Sequence, residues 1–144
     1  LGDNDSERLY PLTEQDREAL GDVLERHGMQ GLVAAANPLD LTPMADESVY
    51  LDCVEAMLGF GAGVVMLGLV PLSEQLDTQQ LTEAENFAAR LKSLAQSSGR
   101  LVGIVIDAGV PYQRSKAVFE RQGFPVFDGM DMGVLGFNVL NNSR

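Results

Sequence analysis

Four stretches of this chain are almost free of polar residues: LVAAAN (32–37), VVMLGLV (64–70), LVGIVID (101–107) and FPVFD (124–128). A strand covered on both faces has no polar side to present, so a short, continuous apolar run with β-branched residues reads as a buried strand. Between these runs, apolar residues recur at helical spacing. Strands alternating with amphipathic helices point to a mostly parallel sheet with helices on both faces, an α/β three-layer sandwich. In such a sheet all strands end on one side, and ligands bind in the crevice at their C-terminal ends. The segments expected there are 37–42, 70–74, 107–109 and 128–129.

The helices announce themselves through their ends. Thr13 caps the first, with Asp16 three residues on in a capping-box arrangement. Leu20, Val23, Leu24 and His27 then share a face, and Gly28 closes the helix in the left-handed conformation. Asn37-Pro38 breaks the first apolar run, because proline disfavours helix in the residue before it. Asp46 caps a helix over about 47–58, where Tyr50, Cys53, Val54, Met57 and Leu58 repeat at helical spacing. A long helix follows from Asp77 or Thr78 to Ser97, with a stripe of Leu81, Ala84, Ala88, Leu91 and Ala95. Gly99 ends it. A shorter helix covers 112–122 and stops at Gly123. A Gly-rich segment, 129–140, reads as a last helix.

With 144 residues, the chain has the length of one domain. Residues 1–11 read as a linker or truncated inter-domain connection, and 12–144 as the domain. The chain starts at Leu1 rather than Met, which fits a piece of a longer protein. Its net charge is −11. Phosphate backbones and anionic lipid surfaces repel such a chain, and no basic cluster offsets the repulsion, so nucleic-acid and membrane partners are not expected. One cysteine and one histidine cannot supply a thiolate–imidazole zinc site, and a lone cysteine cannot pair within the chain. A cytoplasmic setting is expected.

Four ordered segments, ANPLDLTPMAD (36–46), VPLSEQLDT (70–78), IVIDAG (104–109) and QGFPVFDGMD (122–131), resemble those of the ADP-forming acyl-CoA synthetases, the NDP-forming relatives of succinyl-CoA synthetase. The likeness spans roughly 12–140. It implies the C-terminal, flavodoxin-like ligase-CoA domain, which packs on the phosphohistidine domain of the same enzyme. The parent would convert acyl-CoA, ADP and phosphate to acid, CoA and ATP, or the reverse. It would use CoA, ATP or ADP, and magnesium, bound by CoA-binding and ATP-grasp domains elsewhere in the parent chain. The fragment would hold no cofactor and have no synthetase activity by itself. The resemblance points to Asn37, Asp40, Thr42, Leu72 and Ser73 as phosphate-binding or domain-interface residues. At the turn where succinyl-CoA synthetase has Gly-Gly, this sequence has Pro71-Leu72. Pro71 removes one N–H donor, and Glu74 adds a repelling charge. Two other readings stand beside this one: a synthetase-like regulatory region of a protein acetyltransferase, and a degenerate assembly module. An oligomer is open.

Each singled-out residue also has a plainer reading. His27 sits on an apolar helix face beside a glycine, so it reads as a helix-end histidine rather than a phosphohistidine, which the resemblance would place in a Gly-rich loop after a strand. Cys53 reads as a small buried hydrophobe. Asn37 and Asp40 can order their own loop, the alternative being a ligand or interface role. Asp40, Asp46, Asp107 and Asp128 can serve as caps and turn formers, or gather around Mg²⁺. Ser73 reads as a helix cap, for no His–carboxylate partner is near it. The stretch 59–63 is Gly-rich, but it follows a helix and precedes a strand, the reverse of a phosphate loop, and reads as a connection.

Overall fold

Thr13 opens the first helix as its neighbours dictate. Its hydroxyl accepts from the Asp16 N–H at 3.0 Å, and the Asp16 carboxylate accepts from the Thr13 N–H at 3.0 Å, so two otherwise unpaired donors are satisfied. A computed structural model describes residues 10–41, 46–69, 78–106, 113–128 and 138–142. Helix α1 runs Glu14–Arg26 and is followed by Gly28 at φ +69°, a conformation that carries little cost only in glycine. Strand β1 is Leu39–Leu41 and helix α2 is Glu47–Leu58, capped by Asp46, whose carboxylate accepts from the Val49 N–H at 3.1 Å. Then come β2 (Val64–Leu69), α3 (Thr78–Ser98), β3 (Leu101–Ile106), α4 (Gln113–Arg121), β4 (Val126–Asp128) and β5 (Asn138–Asn142).

The five strands form one parallel sheet in the order β1-β5-β2-β3-β4. Strand residues of one parity, Leu39, Leu41, Val65, Leu67, Val102, Ile104 and Ile106, join a single buried cluster with Leu20, Leu24, Val54, Met57, Phe87, Leu91, Val118 and Phe119 from all four helices. The helices pack in chain order, α1 on α2, α2 on α3 and α3 on α4. They therefore form one layer on one face of the sheet. An edge-to-face series of rings, Tyr50–Phe87–Phe119, with centroids 6.3 and 6.2 Å apart, runs across this layer, and Phe124 continues it at a tilt. Each such pair adds about 0.5–1.5 kcal/mol beyond area burial. Of the three layers expected, the described residues show these two. On the other face, Met66 and Val105 are buried outside the cluster, while Phe127 is 42% exposed.

Two strands lie elsewhere than expected. The run 32–37 is not a strand; it holds only an isolated bridge between Gln30 and Val33. Strand β1 begins after Pro38. As an edge strand it pairs on one side only, with β5, and Leu39 and Leu41 are buried while Asp40 between them is exposed. Alternation, not continuous apolarity, marks a strand half covered in this way. Ala34, Ala35 and Ala36 offer too little side-chain area for burial to outweigh it. The helix expected over 129–140 is contradicted at its end, where 138–142 is β5. Backbone pairing to β1 and β2 decides that segment, a non-local term that local pattern does not carry. Residues 129–137 lie outside the described residues.

Candidate functional site

A parallel sheet aligns its exits, and the registers show where they fall. Leu69 pairs with Ile106, which pairs with Asp128, and Leu41 pairs with Asn142. The last residues of all five strands thus lie along one rim. The segments that leave β1, β2 and β3 at this rim, 42–45, 70–77 and 107–112, lie outside the described residues, and with them Thr42, Leu72, Ser73 and Asp107.

Asn37 does not share that rim. Because β1 starts at Leu39, Asn37 precedes the strand it was expected to follow. Leu39 is level with Leu140 and hence with Leu67, so Asn37, two residues earlier, lies level with the start of β2 at the opposite edge. There its side-chain amide donates to the Tyr10 carbonyl at 2.9 Å. The Tyr10 hydroxyl donates to the Asp16 carboxylate at 3.0 Å and accepts from the Gly61 N–H at 3.2 Å. A Cβ on Gly61 would stand 3.0 Å from that hydroxyl, so the α2–β2 connection needs glycine to approach the ring. Asn37 and Gly61 therefore belong to one tie at the entry edge.

Asp40 stays near the rim, exposed on the edge strand. Burial raises the Tyr50 phenol well above its ordinary range, and the Asp40 carboxylate raises it further. The start of α2, the helix that follows β1, is acidic. Asp46 occupies its Val49 N–H, and Glu47 beside it has its pKa raised by partial burial and by Glu83, with Arg90 opposing. A helix N-terminus attracts anions through unpaired N–H groups. Here a carboxylate already takes one of them, and two more carboxylates stand by, which works against phosphate at this end. No group of His, Cys, Asp or Glu among the described residues is arranged to hold a metal ion, so Asp40, Asp46 and Asp128 do not converge.

His27 is the C-cap of α1, and its Nε2 lies 2.7 Å from the Asp52 carboxylate on α2. The pair pins the two helices together. Cys53, next in sequence, is fully buried, and its thiol is pushed up to about 12, first by burial and then by Asp52, against Arg26. A thiol so far from ionising is no nucleophile at neutral pH.

The sequence reading missed one feature. An open groove of about 770 Å³ runs between α1 and α2, lined by Asp22, Glu25, Asp52 and Glu55 around the single cation Arg26. Its signal was present as acidic pairs spaced i, i+3 on each helix, but each pair alone reads as a solvated face. No family model matches the chain, and no curated protein matches it.

Proposed function

We infer that the chain is an accessory domain of an ADP-forming acyl-CoA synthetase, with a flavodoxin-like three-layer sandwich as its complete fold. It docks on the phosphohistidine domain of its parent and helps wall off the phosphoryl-transfer site. One observation carries this reading: among the described residues the sheet is all parallel and its five strands end along one rim, the edge at which such sheets bind ligands. The acidic start of α2 favours docking over direct phosphate binding by this domain. The resemblance assigns CoA, ATP or ADP, and magnesium to the other domains of the parent.

The test is acyl-CoA-dependent formation of ATP from ADP and phosphate by the full parent protein. The expected result is ATP from at least one acyl-CoA with the parent and none with this chain alone. A parent that forms none over a broad acyl-CoA panel, and carries an acetyltransferase domain instead, refutes the assignment. Titrating the isotopically labelled chain with millimolar inorganic phosphate should leave the amide resonances of Leu72, Ser73 and Glu74 unmoved. Saturable shifts there would replace the docking role with direct phosphate binding.

A further inference from the structure

Charge is sorted along the helix layer. Helices α1 and α2 carry eight carboxylates against two arginines, whereas α3 and α4 carry three against five cations. The helices pack in chain order, so the acid lies at one side of the layer. Solubility asks only for dispersed charge of both signs. A single-sign field on one face costs stability through self-repulsion, and it concentrates partners of the opposite charge.

The groove between α1 and α2 gives that field a shape. Its floor is apolar and small, made by half-buried Ala19 and Ala56 and by buried Val23. Asp22 and Glu25 on α1 and Glu55 on α2 line it from exposed positions. No ion pair among the described residues engages these three carboxylates or Arg26, while Asp52 is taken by His27. The lining runs along α1 from Ala19 to Arg26, about 10 Å of helix, which matches two turns of a second helix laid alongside. It reaches the last turn of both helices, where the backbone carbonyls carry partial negative charge, and α2 has no basic residue there to offset it. The carboxylates do not gather on one point, for no group of His, Cys, Asp or Glu among the described residues is arranged to hold a metal ion. They match several cations spaced along a backbone instead.

We propose that this groove docks a basic amphipathic helix of a partner protein, one that presents an apolar stripe flanked on both sides by lysine or arginine. The stripe seats on Ala19, Val23 and Ala56, where two alanines let the partner backbone approach closely. The flanking cations pair with Asp22 and Glu25 on one side and with Glu55 on the other. This is the helix-in-groove mode, with charge complementarity choosing the partner. The same field repels nucleic acid and anionic lipid. Helix α2 leads through 59–63 into the start of β2, so the groove lies toward the entry edge of the sheet. It is therefore separate from the rim of strand exits, and its occupant does not depend on what docks there.

The probe is a capped peptide of about 14 residues, long enough to form a helix, with an alanine–leucine stripe flanked by lysines. It is titrated into the isotopically labelled chain at about 100 mM salt, where the Debye length of about 10 Å limits diffuse attraction. The expected result is saturable amide shifts centred on Ala19, Asp22, Val23 and Ala56. Asp22→Asn/Glu25→Gln/Glu55→Gln should weaken binding about tenfold or more, whereas Glu83→Gln/Glu85→Gln/Glu120→Gln, which removes the same charge from α3 and α4, should change it less than about threefold. A scrambled peptide of the same composition, whose lysines no longer flank a stripe, should bind about tenfold more weakly or worse. Equal losses in the two triple variants would reduce the attraction to net charge and overturn the proposal. So would shifts scattered over the surface, equal binding of the scrambled peptide, or no saturable binding at all.

Discussion

The Thr13 hydroxyl and the Asp16 carboxylate each satisfy a helix-end donor that water would otherwise have to serve. Thr13→Ala removes one of the two bonds and should lower the unfolding free energy by about 1 kcal/mol, read as a reduced urea midpoint with an unchanged m-value. Cys53 makes the opposite kind of point. Its thiol, fully buried and pushed up to about 12, should resist a thiol-reactive disulfide reagent at pH 8 for hours and react within minutes once the chain is unfolded. Fast native-state labelling would show that α2 opens readily. His27 was legible as a helix-end residue from its place before Gly28. That it reaches Asp52, 25 residues away, was not, because only the packing angle of α1 on α2 brings the two together.

At the scale of elements, the start of α2 carries a pH signature. Glu47 has its pKa raised above 4.5 by partial burial and by Glu83. The folded state therefore holds this proton more tightly than the unfolded state. Stability falls as pH rises from the unfolded pKa through the folded one, and the deficit persists at neutral pH. Glu47→Gln should raise Tm at pH 7 and have no stabilising effect below about pH 4, where both forms are neutral. A gain that survives at pH 3 would mean a cause other than charge. Between β2 and β3, Gly103 gives way to Met66: a Cβ there would stand 2.6 Å from the Met66 sulfur. Gly103→Ala should cost about 1–3 kcal/mol, and Met66→Ala should reduce that cost, so a double-mutant cycle should show coupling of at least about 0.5 kcal/mol. Helices and their caps were legible because periodicity and cap chemistry are local, as at Thr13, Asp46 and Gly99. Strands β2 and β3 were legible from continuous apolarity. Strands β1 and β5 were not, since three residues of LDL and the asparagines of NVLNN are strands only by virtue of their neighbours. Of the candidate site, Asp40 kept its place near the rim, while Asn37 moved to the far edge with the displaced start of β1.

For the whole molecule, charge is the dominant long-range term. A net charge of −11, with four carboxylates facing one guanidinium between α1 and α2, repels itself in the folded state more than in the expanded one. Raising monovalent salt from about 10 mM to about 200 mM shortens the Debye length from about 30 Å to under 10 Å and should raise Tm by a few degrees. A flat or falling Tm would show that attractive pairs such as Arg121–Glu85 outweigh the repulsion. No helix among the described residues is long and apolar enough to cross a membrane. The phenol of Tyr10 has a mechanical consequence. It grips the cap of α1 and the turn before β2 at once, while the backbone carbonyl of the same residue holds Asn37. A pull on the backbone ahead of Tyr10 is thus delivered to three anchors along the bottom of the sheet, and the upper rim is spared the load.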